Sequence, residues 1–206
     1  MTLKEIEQAL LVDPKFPFKL PRVQSTVNVV QICGPIIDIV DGYVQFVHFT
    51  VREYIFSTKI QSSMTLSEMA LDLTIRCVVY MCQDHHDPGL TEDGINANIL
   101  WGAYRLHHFS SSFWLDLVHE YLRLSGSETI PDALIDQLRI LLGTRSSDTY
   151  TQSDQSKGSL HPTILGLEDQ EPALVEMLKG YADFQTSLSK SDFQINNREF
   201  VDPEIR

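Results

Sequence analysis

The sequence predicts a mainly α-helical chain with one small β-hairpin. Three observations carry that reading. Thr2-Leu3-Lys4-Glu5, Thr50-Val51-Arg52-Glu53 and Thr65-Leu66-Ser67-Glu68 each set a threonine three residues before a glutamate. At that spacing the hydroxyl and the carboxylate each meet an orphan amide of a first helical turn. Apolar residues then recur at helical spacing through most of the chain. Asp41-Gly42, a two-residue hairpin signal, separates two short apolar runs rich in β-branched residues.

The first helix spans about residues 3–12, with Leu3, Ile6, Leu10 and Leu11 on one face. Pro14, Pro17 and Pro21 then hold a non-helical connector. A second helix is expected near 22–33, with Val23, Val27, Val30 and Cys33 at helical spacing and Gly34-Pro35 ending it. Ile36 to Val40 reads as a strand. Tyr43 to His48 is its partner across the Asp41-Gly42 turn, and a helix capped by Thr50 follows to about Thr58. Helix, helix, strand, turn, strand, helix is the order of a winged-helix unit, the hairpin being the wing. Such a fold usually opens on a further helix, so the sequence reads as beginning partway through a larger protein.

Thr65 opens a long helix to about Gln83, carrying Met69, Leu73, Arg76, Cys77 and Tyr80. His85-His86-Asp87-Pro88-Gly89 reads as a loop. Residues 95–108 and 112–124 are expected as a helical hairpin turning at Phe109 to Ser111, with Gly126 ending the second helix. Pro131 suits the first turn of the next helix, and Gly143 its C′ position. Residues 144–161 form a polar linker, followed by a short helix near 171–182 and an irregular tail. The expected organisation is a winged-helix domain over 1–60, a helical bundle or superhelical segment over 61–143, and a linker and tail over 144–206.

Composition narrows function by exclusion. The 206 residues carry a net charge of −12. The six cations and six anions of residues 1–60 cancel, so the deficit lies beyond them. A phosphate-backbone binder needs a basic face, and the second helix offers Arg22 alone. Nucleic acid is therefore not an expected partner. No apolar run approaches the ~20 residues of a membrane span. The acidic, amphipathic N-terminus is unlike a signal peptide. Cys33, Cys77 and Cys82 are odd in number and lack zinc-like spacing, which suits a reducing, cytoplasmic setting.

No P-loop, dinucleotide fingerprint, nucleophile elbow or zinc-protease motif is present in the sequence. The expectation is a chain that is not an enzyme and has no catalytic residues, no metal and no cofactor of its own. His85-His86-Asp87 resembles a metal cluster in type, but adjacent histidines are expected to point apart, without a further ligand at helical spacing. His107-His108 is expected at a helix C-terminus, where the macrodipole favours cations. Cys77 and Cys82 read as core filling. Trp101, Tyr104, Phe109, Phe113, Trp114 and Tyr121 read first as a bundle core and second as a docking face, exposure being the discriminator. His48, at the strand–helix joint, has three readings: a satisfied strand-end histidine, a DNA contact beside the wing, or a polar sensor of a ligand held by a neighbouring domain.

The runs Cys33-Gly34-Pro35-Ile36-Ile37-Asp38, Asp41-Gly42 and Val47-His48-Phe49-Thr50-Val51-Arg52-Glu53-Tyr54 resemble the winged-helix region of fungal NACHT-type NTPases, relatives of NOD-like receptors. The same module is known as the GPI inositol-deacylase winged-helix domain. Thr2 to Leu10, Leu71 to Met81 and Tyr104 to Trp114 are similar to further segments of that family, so the resemblance spans about residues 2–125. It implies a non-catalytic regulatory or interaction fragment. The winged helix would pack on an upstream NACHT domain, which alone would hold ADP or ATP, and relay its nucleotide state. It implies a nucleotide-sensing place for His48, and interdomain packing by Phe46, Phe49, Arg52 and Tyr54. In related receptors the sensing histidine lies in a Met-His-Asp motif; here Val47 and Phe49 flank it instead. The alternatives are a stand-alone protein-interaction module and a DNA-binding winged helix.

Overall fold

Thr2 begins the first helix with both halves of its box in place. Its Oγ1 accepts from the Glu5 amide at 3.3 Å, and a Glu5 carboxylate oxygen accepts from the Thr2 amide at 2.6 Å. The computed structural model describes residues 1–15, 28–57, 65–126, 129–145, 160–183 and 186. Helix α1 is Leu3–Leu11, and it buries Gln8 and Ala9, with Val12 just beyond. Helix α2 is Val29–Cys33, capped by the Asn28 side chain; the expected residues 22–27 lie outside the described ones. A 3-10 turn, Gly34–Ile36, leads into strand β1, Ile37–Val40.

The wing is a two-stranded antiparallel hairpin. Strand β2 is Tyr43–Phe46, paired so that Ile37 faces Phe46 and Val40 faces Tyr43. Asp41 and Gly42 both have positive φ, 52° and 83°, the pair a type I′ turn requires. The chain start lies along the free edge of β2. The Val44 amide donates to Met1 O at 3.2 Å, and the Leu3 amide to Gly42 O at 3.1 Å.

Helix α3 is Phe49–Ile55, and here one expectation is corrected. The N-cap is His48, not Thr50: the Thr50 amide donates to His48 Nδ1 at 3.2 Å. An imidazole nitrogen supplies the acceptor that a Ser or Asn oxygen usually does. The helix therefore starts earlier, Thr50 lies inside it, and β2 ends at Phe46 rather than His48.

Helix α4 is Leu66–Met81, with the expected Thr65–Glu68 box formed. Two hydrogen bonds from Thr65 hold the Glu68 carboxyl below its ordinary range. Helices α5, Glu92–Trp101, and α6, His107–Ser125, correct a second expectation. The break falls at Gly102, not at Phe109 to Ser111. Gly102 adopts φ 73°. Its amide donates to Ile99 O, and that of Ala103 to Asn98 O, both at 2.9 Å. That is a complete Schellman motif. His107 and His108 therefore open α6 instead of closing a helix. Gly126 ends α6 with φ 57°, as expected.

Helix α7 is Asp132–Arg145 and runs straight through Gly143, which was expected just past its end. Leu138, Leu141 and Leu142 are buried on the preceding turns. A mid-helix glycine costs only about 0.5–1 kcal/mol, less than burying even one such leucine contributes. Helix α8 is Pro162–Leu165, capped by His161, and a further helix covers 172–183. Most of the expected polar linker lies outside the described residues.

The order α1, α2, hairpin, α3 is that of a winged helix followed by a helical segment, and the chain is mainly helical. The chain divides into two compact units. The first comprises Met1–Ser127 and Pro131–Leu141, with α4 packed on α6. Its core includes Cys77, Val78, Tyr80, Leu106, Trp114, Leu115, Val118 and Leu122. The second comprises Glu128–Ile130 and Leu142–Arg206. In it Ile164, Leu174, Val175 and Leu178 are buried, and Lys179 pairs with Glu168 at 2.7 Å.

One side chain ties the winged helix to α4. Arg76 donates to Val12 O at 2.7 Å and to Ala9 O at 3.3 Å, while its Nε donates to Asp72 at 2.7 Å. Helix ends leave carbonyls without intrahelical partners. Here a guanidinium from a distant helix supplies donors to those of α1.

Candidate functional site

The site that the sequence singles out is the joint between β2 and α3. Four of its five predicted residues, His48, Phe49, Arg52 and Tyr54, are exposed. Phe49 and Tyr54 each keep 64% of their surface in water. Phe46, on the other side of the strand end, is half-covered and meets Phe56 edge to face at 6.5 Å. Val40, Tyr43 and Val47 extend the exposed apolar surface along the hairpin. Among the described residues 28–57, Val29 alone is buried. This wing and its helix present apolar side chains outward instead of closing a core over them.

His48 is held with one ring nitrogen committed. A backbone amide can only donate, so Nδ1 must accept. In the neutral ring the proton then sits on Nε2. Thr50 Oγ1 lies 2.9 Å from the same Nδ1, and the ring packs on Phe49 at 4.4 Å. The joint thus presents one N–H donor beside an exposed aromatic ring. That is suited to a carbonyl or phosphate oxygen on a neighbouring surface.

A second cluster was not foreseen. His85 and His86 were expected to point apart, yet their rings lie 4.0 Å apart within the 3-10 turn Asp84–His86. Tyr80, Tyr104 and His107 close the group, with His86 and His107 5.1 Å apart. Tyr80 donates to Ala103 O and Tyr104 to His85 O, both at 2.7 Å. These bonds fasten the end of α4 to the turn before α6. The contacts run between segments about twenty residues apart, beyond the reach of any spacing rule. Among the described residues, no group of three His, Cys, Asp or Glu side chains is placed to hold a metal ion.

Cys77 and Cys82 are buried and Cys33 half-buried, all unbridged. Burial pushes the Cys77 thiol up to about 11, the Ser110 hydroxyl opposing part of the rise. A nucleophilic cysteine needs the opposite shift. Burial also raises the Tyr80 phenol. The aromatic set divides by exposure: Trp114 and Tyr121 are core, whereas Trp101 and Phe113 face water. Among the described residues no helix is long and apolar enough to cross a membrane.

Residues 1–67 match the family model of the GPI inositol-deacylase winged helix domain. No curated protein and no solved structure matches the chain.

Proposed function

We propose that the winged helix is a non-catalytic docking and relay module for a NACHT-type NTPase domain, in the cytoplasm. The observation that carries this is the outward apolar surface of the hairpin and α3. Exposed apolar surface of this kind marks a protein contact. The resemblance of the run from Val47 to Tyr54 supplies the kind of partner. Phe49 and Tyr54 would bury against that domain, Phe46 would stiffen the strand end, and Arg52 would sit at the rim. His48 would offer its Nε2 proton toward the nucleotide side of the contact. ADP or ATP would belong to the partner domain and not to this chain.

A DNA-reading role is less well supported. The described recognition-helix residues, Val29–Cys33, carry no cation, and phosphate contacts need them.

The test is association with a NACHT-type NTPase domain supplied in trans, and its ADP release. Phe49→Glu and Tyr54→Glu should each abolish binding while the chain stays folded. Undiminished binding by both variants would refute docking through this surface. His48→Ala should bind but speed ADP release. An unchanged release rate would remove the sensing role and leave docking intact.

A further inference from the structure

Helix α5, like α3, belongs to the first unit and buries none of its residues. Gly94 and Asn98 are its half-covered positions. They share one face, which the helix rests on its own unit. The opposite face is read from Glu92, Ile95, Asn96, Ile99 and Leu100, spaced i, i+3, i+4, i+7 and i+8. Ile99 is 58% and Leu100 87% exposed. An outward stripe of this kind is a contact surface without its partner.

The two ends of the stripe carry opposite charge. Glu92 and Asp93 lie in the first turn. Arg105 folds back over the other end, its guanidinium within 2.5–2.9 Å of where a Gly102 Cβ would be. None of these three side chains forms an ion pair among the described residues. An acidic chain draws basic partners in general, yet this stripe asks for a surface with the reversed order of charges. A second copy of α5, laid antiparallel, has that order by symmetry. A two-fold contact sets residue i against j and j against i.

We propose that α5 is a homodimerisation helix, pairing antiparallel with the α5 of a second copy of this chain. Ile95 and Ile99 meet their mates reciprocally across the axis. Asn96, which both donates and accepts, faces its own counterpart. Glu92 and Asp93 of each chain reach Arg105 of the other. A ten-residue helix is about 15 Å long, so the contact lies at the small end of specific interfaces. The dimer should therefore be weak, with a Kd on the order of 10–500 μM. This surface is separate from the one on the hairpin and α3, and the inference does not rest on the docking proposal.

Sedimentation equilibrium of the full chain over that concentration range tests it. Wild type should pass from monomer to dimer. Leu100→Glu and Ile99→Glu should be monomeric, with unchanged circular dichroism because both positions are exposed. Arg105→Glu, and the double variant Glu92→Arg with Asp93→Arg, should each weaken self-association at least about tenfold. Mixing these two charge variants should restore a heterodimer. A wild-type chain that stays monomeric throughout would overturn the proposal, even if another protein were found on α5. So would a dimer indifferent to Leu100→Glu and Arg105→Glu.

Discussion

At His48 one side chain carries a structural duty that can be separated from any sensing duty. His48→Ala removes the cap of α3 and should cost about 1 kcal/mol, while His48→Asn should keep most of it. Amide exchange over residues 49–55 reads this directly. Equal protection in wild type and His48→Ala would mean that the ring is not the cap that matters. Cys77 gives a pH signature. Its thiol is raised from 9.0 to about 11 in the fold, so the fold holds the neutral form. That contribution is complete below about pH 9 and is lost as pH climbs from 9 toward 11. Tyr80, also raised, acts in the same direction at higher pH. The urea midpoint should fall across this window, and fall less in Cys77→Ala. In the native protein a thiol reagent should modify Cys33 first, with Cys77 and Cys82 reacting only on unfolding.

Among the elements, α1 depends on α4 for its last turn. Arg76→Met leaves Val12 O without this donor, Ala9 O with the Val12 amide alone, and Asp72 without its partner. A loss of about 1–3 kcal/mol is expected from charge-assisted bonds of this kind, measured by urea denaturation. A loss near zero would mean that water replaces the guanidinium without cost. Two glycines should respond with opposite signs. Gly102→Ala places a side chain at φ 73° and against Arg105, and should destabilise by at least about 1–2 kcal/mol. Gly143 lies within α7 with open space around it, so Gly143→Ala should stabilise by about 0.5–1 kcal/mol. A destabilised Gly143→Ala would mean that α7 ends there after all.

For the whole molecule, the first unit combines a packed α4–α6 core with two outward apolar surfaces, one on the hairpin and α3 and one on α5. Neither offers a basic face: residues 28–57 carry Arg52 against Asp38, Asp41 and Glu53, and α5 carries Glu92 and Asp93, so the expectation is that neither binds nucleic acid. Fluorescence titration with a labelled duplex at low salt should show no binding, and salt-sensitive binding would revive the DNA-reading alternative. The chain alone should neither hydrolyse ATP nor retain ADP. Turnover that survives repurification would contradict the non-catalytic proposal.

The sequence by itself determined the local units of this protein. The Thr2 and Thr65 caps, the Asp41-Gly42 turn and the Gly126 stop are each decided by hydrogen bonds or dihedrals within a few residues. The winged-helix order followed from them, and His48 at its joint was legible as a candidate. The nature of its cap was not, because Thr50-Val51-Arg52-Glu53 satisfies the same spacing rule that His48 pre-empts. The helix expected unbroken over 95–108, through Gly102, and the stop expected at Gly143 differ from the structure for a related reason. A glycine's role depends on which neighbouring side chains find burial, and periodicity alone does not say which they are. Tertiary structure alone decided that Arg76 completes α1, that Met1 and Thr2 border the wing, and that His85, His86 and His107 gather around two tyrosines. It also separated Trp114 in the core from Trp101 in water. These outcomes turn on groups tens of residues apart, and their energies exist only once the chain has brought them together.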